Sequence, residues 1–143
     1  MSSFEELLQE ALSVQVPKTV FGIKPVSQDL IAHGAGINVD LSNHGYLIRA
    51  TGLRHAMNRH GNYANEAVSG QIALTTWHLR QIPQILSSPH QIENAPGLCA
   101  FKLKKDFYEQ GNATLILEGS TFTSKSKTYH DLVFKTLYWH RPR

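Results

Sequence analysis

The sequence predicts an α+β fold, in which N-terminal helices pack on a small antiparallel β-sheet. Up to about residue 90 the apolar residues recur at helical spacing, whereas after Pro96 and Gly97 they alternate with polar residues. Helices followed by strands along the chain are typical of this class. The chain has 143 residues, 41% of them hydrophobic, so we expect one compact domain with one core.

Three helices are predicted in the first part of the chain. The first is amphipathic over residues 4–12, with glutamates in its first turn, where the helix dipole favours them. The second covers residues 51–60. The third runs from residue 75 to 86, and Pro83 must kink or restart it. Residues 32–36 are rich in glycine and are predicted as a loop.

The strands are predicted from β-branched and alternating segments. Residues 14–23 are interrupted by Pro17, which suits an edge strand or an extended arm. Strict alternation in the last strand places Phe134, Thr136 and Tyr138 on one face. The further extended segments are predicted at residues 46–49, 99–103, 114–117 and 132–139.

Charge and cysteine content limit the classes of protein to which the chain can belong. Residues 1–43 carry five acidic and two basic residues, whereas residues 100–143 carry eight basic and four acidic ones. A basic C-terminal region suggests a nucleic acid or an acidic protein as partner. Cys99 is the one cysteine, which excludes an intramolecular disulfide and a cysteine-rich zinc site. Neither a signal peptide nor a membrane span is predicted.

The candidate site is a cluster of basic residues in the second predicted helix. No carboxylate between Asp40 and Glu66 neutralises this cluster. Two imidazoles can act as general base and general acid near neutral pH, and guanidinium groups can hold a phosphodiester and stabilise its developing charge. The cluster consists of Arg54, His55, Arg59 and His60.

The spacing of the two histidines argues against a metal site. His55 and His60 are five residues apart, or roughly 140° around a helix, so they do not share a face. No metal and no cofactor are predicted. His60 has an alternative role, because a protonated imidazole at a helix C-terminus interacts favourably with the helix dipole.

A second basic segment covers residues 121–128, which contain five hydroxyl side chains, Lys125 and Lys127, and no acidic residue. We interpret it as a long hairpin connection. It is either a solvated loop or a surface that binds the backbone of a polynucleotide. Tyr138, on the last strand, is either a core residue or a platform on which a base stacks.

Six short motifs follow one another between residues 45 and 139. In this combination the chain resembles the phage-associated barnase/EndoU/colicin/RelE-like nuclease domains, which occur in phage structural proteins and as C-terminal toxin modules of contact-dependent inhibition systems. The motifs are Arg54-His55, Arg59-His60-Gly61, GQIALT at 70–75, LRQIPQIL at 79–86, SPHQI at 88–92 and Lys135-Thr136-Leu137-Tyr138.

The resemblance implies a metal-independent ribonuclease in which the RNA 2′-hydroxyl is the nucleophile. The nuclease domain would cover residues 45–143, with helices followed by a four-stranded antiparallel sheet, after an N-terminal helix and arm at residues 1–44. Implied partners are RNA, above all tRNA, and an acidic cognate immunity protein. The implied site of action is the cytoplasm of a target or host bacterium, reached as part of a larger secreted protein.

Carried over by motif, the resemblance also assigns roles to single residues. His55, His60 and Thr136 would be catalytic, and Arg54, Arg59 and Tyr138 would contact the substrate in the same cleft. Two other functions stay open at this point. One is a non-catalytic interaction module of a phage or secretion-system protein, and the other is an enzyme that acts on another phosphorylated ligand, such as a nucleotide transferase.

Overall fold

The computed structural model describes residues 3–62, 71–97, 99–124 and 126–142. Its α-helices are α1 (Phe4–Ala11), α2 (Gln28–Gly36), α3 (Ala50–His60), α4 (Thr76–Arg80) and α5 (Ile82–Ser87). Its strands are β1 (Val20–Ile23), β2 (Gly45–Arg49), β3 (Gln71–Ile72), β4 (Gln91–Asn94), β5 (Ala100–Asp106), β6 (Asn112–Ser124) and β7 (Lys127–His140). A 3₁₀ turn at Tyr108–Gln110 lies between β5 and β6.

The strands of the described residues form one seven-stranded sheet. Its order is β1-β2-β7-β6-β5-β4, and β3 pairs with β7. Strands β4 to β7 form an antiparallel meander, while β2 runs parallel to the start of β7 and β3 runs antiparallel to its end. The predicted α+β fold, with helices on a mostly antiparallel sheet, is therefore confirmed.

The helices and the inward-facing side of the sheet share one hydrophobic core. Leu7 and Leu8 of α1, and Leu30 of α2, are fully buried together with Leu115 of β6 and Leu137 of β7. Because these helices present apolar faces and the strands alternate, the apolar side chains meet in a single layer. Burial of this surface is the main source of stability for the fold.

Trp139 lies at the centre of a cluster of aromatic rings at one end of the core. It is fully buried, and its indole N–H donates to the carbonyl oxygen of Gln110 at 2.8 Å. The rings of His78 and Phe107 lie 4.6 and 4.9 Å from it, and that of Trp77 lies 5.6 Å away. The paired N–H and the aromatic contacts allow this large side chain to be buried without an unpaired polar group.

Tyr46 connects β2 to two helices. Its side chain is 2% exposed. The phenol oxygen accepts from the backbone N–H of Ser27, the N-cap of α2, and donates to the carbonyl of Leu86 in α5, both at 3.1 Å. One buried hydroxyl thus satisfies a donor and an acceptor on two different elements.

Strand β7 contains a β-bulge at Lys135. Adjacent residues of β6 pair with Phe134 and Thr136, so that Lys135 is an extra residue in β7. Phe134 therefore faces the core together with Leu137, whereas Thr136 and Tyr138 face the other side. The prediction that Phe134 shares a face with Thr136 is wrong, because one inserted residue reverses the alternation.

Two segments predicted as loops are regular structure. Residues 32–36 belong to α2, in which a Cβ atom on Gly34 would lie 2.7 Å from the carbonyl oxygen of Val39. Here glycine permits close packing and does not end the helix. Residues 121–124 continue β6 and pair with the start of β7, because threonine is favoured in strands and pairing partners are present.

Other sequence expectations are confirmed, and two strands were missed. Strand β1 is an edge strand. Helix α5 restarts at Ile82, with Pro83 in its first turn. Strands β3 and β4 were not predicted, because two and four residues are too few to show a period. In the described part of the chain, no helix has both the length and the apolar character needed to cross a bilayer.

The Tyr46 hydroxyl gives a test of this packing. Tyr46→Phe should lower the free energy of unfolding by about 1–3 kcal/mol, because two buried backbone groups lose their partner. Urea denaturation measures the change. Tyr108→Phe is the matched control, since Tyr108 is 72% exposed, and it should stay within about 0.5 kcal/mol of the native protein. Equal effects of the two variants would contradict the assigned role of Tyr46.

Candidate functional site

The sheet has a polar face on the side opposite the core. Its residues are aligned across the strands, because Lys104 pairs with Thr114 and Thr114 pairs with Tyr138. We call the outward-facing residues of β4 to β7 the polar face: Gln91, Glu93, Lys102, Lys104, Thr114, Ile116, Glu118, Thr136, Tyr138 and His140.

A cleft of about 530 Å³ lies at the edge of this face, between α3 and the bulge of β7. We call it the α3 cleft. The helix side contributes Thr51, His55 and Arg59, which are four residues apart and therefore share one face of α3. At Gly52 the helix lies close to β7, since a Cβ atom there would be in ordinary van der Waals contact with the Phe134 carbonyl oxygen, at 3.6 Å.

The α3 cleft has an excess of positive charge. Arg49, Arg59 and Lys135 line it, against one carboxylate, that of Glu118. The N-terminus of α3 opens into it, and no side chain of the described residues caps this helix end. Because the N-terminus carries a partial positive charge, it adds to the field of the three cationic side chains.

Thr136 lies on the sheet side of the α3 cleft. Its Oγ1 atom is shielded from solvent and has no hydrogen-bond partner among the described residues. Leaving a hydroxyl unpaired costs free energy. A ligand oxygen that accepted from Oγ1 would recover part of that cost.

His60 and Tyr138 meet next to the α3 cleft. Their ring centroids are 5.8 Å apart, and the Tyr138 ring lies 5.3 Å from that of His140. Thr136 and Tyr138 are two residues apart on one face of β7, a separation of roughly 7 Å. The His60 ring therefore lies close to the cleft that contains His55 and Thr136.

Arg54 lies elsewhere. Its guanidinium group donates to the carbonyl oxygens of Ala11 and Ser13, at 3.2 and 3.4 Å, at the end of α1. The sequence-based expectation that Arg54 shares the cleft with His55 is therefore wrong, because the end of α1 holds its guanidinium group away from the cleft. Arg54 stabilises the contact between α1 and α3.

Two lysines, Lys125 and Lys127, are predicted from the sequence to bind a polynucleotide. Lys125 lies outside the described residues. Lys127 is the first residue of β7, and the prediction for its side chain likewise lies outside the described part of the chain.

Four residues of the site were missed in the sequence. Arg49 precedes the predicted helix, and Glu118 follows the end of the strand predicted at residues 114–117. Period-two alternation from Tyr138 would have identified His140. Lys135 belongs to a quoted motif, yet its place in the cleft depends on the bulge.

Two histidines outside the site are structural. Burial lowers the pKa of His78, whose Nδ1 accepts from the backbone N–H of Thr75 at 2.8 Å. Burial, and to a lesser extent the nearby His130, lowers the pKa of His44. Neutral rings at these positions suit packing. Among the described residues, no group of three His, Cys, Asp or Glu side chains is placed to hold a metal ion.

The chain has no significant match among models of known protein families, among curated proteins or among solved structures. The likeness to nuclease domains therefore rests on the sequence motifs, and function has to be argued from the geometry of the site.

The different positions of Arg54 and Arg59 can be tested as a matched pair. Arg54→Ala should lower the free energy of unfolding by about 1–3 kcal/mol, because two carbonyls at the end of α1 lose a charged donor. Arg59→Ala, at an exposed position in the α3 cleft, should stay within about 0.5 kcal/mol of the native protein. Chemical denaturation of both variants checks this, and the reverse order would refute the placement.

Proposed function

We propose that this protein is a metal-independent ribonuclease that cleaves RNA at the α3 cleft. The observation that carries the proposal is that His55 and Arg59, on one face of α3, line the same cleft as Lys135 and Thr136 of β7. Imidazole, guanidinium, ammonium and hydroxyl groups are the ones that phosphodiester cleavage by general acid–base catalysis requires.

The scissile phosphate would bind beside Arg59, Lys135 and Thr136, on the side of the cleft nearer His60. The uncapped start of α3 and the side chain of Arg49 add positive charge at the other end of the cleft. Arg59 and Lys135 would neutralise the charge of the pentacoordinate phosphate, and Thr136 Oγ1 would donate to one of its oxygens. Donors fixed in place before the reaction stabilise a transition state more effectively than mobile water does.

The proton transfers would involve the two histidines of α3. His55, which is exposed in the cleft, would remove the proton from the RNA 2′-hydroxyl. The 2′-oxygen would attack phosphorus, the bond from phosphorus to the 5′-oxygen would break, and His60 would protonate that leaving oxygen.

The sequence resemblance extends this proposal to the biological setting. A nuclease of this type would act on tRNA in the cytoplasm of a target or host bacterium, and an acidic immunity protein would neutralise it. The support for such an inhibitor is the excess of cationic groups in the α3 cleft, which an acidic surface could cover.

The products of the reaction test the mechanism. Cleavage of RNA should proceed in excess EDTA and leave a 2′,3′-cyclic phosphate and a free 5′-hydroxyl, because the nucleophile is part of the substrate. A substrate with a 2′-O-methyl group at the cleaved position should stay intact. Mass spectrometry of the products measures this. A 5′-phosphate product, or cleavage that requires a divalent ion, would rule out the mechanism.

Variants of the two histidines test the assigned roles. His55→Ala and His60→Ala should each lower kcat by about 10²–10⁴-fold, the usual contribution of a proton-transfer group. For the native protein, kcat/KM should follow a bell-shaped pH curve, and each variant should lose one limb of it. His130→Ala, at an exposed histidine outside the cleft, is the control and should retain activity. Full activity of either variant would remove that histidine from the mechanism.

A further inference from the structure

A second polar cleft, of about 370 Å³, lies on the other side of Tyr138 from the α3 cleft. Its lining includes His90, Gln91, Lys104 and one carboxylate, that of Asp106, at one side, and Thr114 and His140 at the other. We call it the His90 cleft. Neither the proposed proton transfers nor the phosphate contacts in the α3 cleft use these residues.

The His90 imidazole is held in one tautomer. Its Nδ1 accepts from the backbone N–H of Asp106 at 2.9 Å, so in the neutral ring Nε2 carries the hydrogen and is a donor. The backbone N–H of His90 itself donates to the Lys104 carbonyl at 2.8 Å. The ring is therefore anchored to strand β5 and presents a donor from a fixed position.

The two lysines at the His90 cleft, Lys104 and Lys105, have different partners. Lys105 is 8% exposed, and its ammonium group donates to the Ser88 carbonyl and hydroxyl at 2.6 and 3.2 Å. Lys104 is partly exposed and forms an ion pair with Glu93 at 2.9 Å. A surface ion pair of this kind is weak, so Lys104 can exchange its partner for a phosphate.

The two clefts are connected by a row of side chains on the polar face. Gln91, Lys104, Thr114 and Tyr138 are paired in register across four strands, a span of about 14 Å at the usual strand spacing. Tyr138 lies between His60 and His140, with its ring near both. Aromatic rings along such a track are platforms on which the bases of single-stranded nucleic acids stack.

We propose that the His90 cleft binds a second nucleotide of the strand whose scissile phosphate occupies the α3 cleft. His90 Nε2–H and Lys104 contact the phosphate of that nucleotide, and its base stacks against His140. The inference rests on the proposed function for the identity of the ligand as a nucleic acid strand. It adds a second binding site, so that the affinity for a nucleic acid strand depends on the length of the strand.

The test uses binding, so that it does not depend on catalysis. A DNA hexanucleotide and a DNA dinucleotide, which lack the 2′-hydroxyl, are titrated into the full chain by isothermal calorimetry. The native protein should bind the hexanucleotide at least about tenfold more tightly than the dinucleotide, since a hydrogen bond to a charged phosphate contributes about this factor. Equal affinities of the two strands would overturn the proposal.

Substitutions at His90 distinguish the role of the Nε2–H donor from that of Nδ1, which accepts from the Asp106 N–H. His90→Asn retains an acceptor near the Asp106 N–H but removes the Nε2–H, and it should reduce the advantage of the hexanucleotide by about tenfold. His90→Gln keeps a donor at about the reach of Nε2 and should retain most of that advantage. Equal binding by these two variants, with native circular dichroism spectra, would overturn the role of His90.

Charge-matched variants test whether the effect is local. Lys104→Ala should reduce the preference for the hexanucleotide, whereas Lys18→Ala, beside the edge strand β1 at the opposite side of the sheet, should not. Equal losses from both would mean that net charge alone sets the affinity. Length-dependent binding without RNA cleavage would support this site and refute the proposed function. Cleavage of RNA without length-dependent binding would support the proposed function and refute this site.

Discussion

The pairing of strand β7 is the constraint on which the rest of the structure depends. One edge of β7 is paired with β6 along its length, apart from the bulge at Lys135. The other edge pairs with β2 near its start and with β3 at its end, and no strand of the described residues pairs with the middle of that edge. Helix α3 packs there, and the gap between a helix and a bulged strand becomes a cleft.

The bulge at Lys135 has both a structural and a chemical consequence. It keeps Phe134 and Leu137 in the core while Thr136 faces the cleft, and it leaves Lys135 exposed at the rim. Bulges are frequent next to functional sites because they redirect side chains without changing the rest of the sheet. Because of this one extra residue, the ammonium group of Lys135 and the hydroxyl group of Thr136 both line the α3 cleft.

Three of the histidines, His55, His60 and His78, differ in their surroundings. His78 is 8% exposed, accepts a backbone hydrogen bond and contacts the Trp139 ring at a tilted angle, so its neutral form is part of the core. His55 is exposed in the α3 cleft, and His60 contacts a tyrosine at the end of α3. In the proposed mechanism both of these rings would exchange protons with the bound RNA, as acid–base catalysis requires.

The sequence by itself determined the fold class and the amphipathic helices, because these depend on local periodicity. It left open whether residues 14–23 form an edge strand or an arm, and whether Pro83 kinks or restarts its helix. It also placed His55 and Arg59 on one helix. Only the tertiary structure decided which other groups line the cleft beside His55 and Arg59. The parallel pairing of β2 with β7, the bulge at Lys135 and the distant partner of Arg54 all arise from contacts between residues far apart in the chain, and such contacts leave no periodic signal in the sequence.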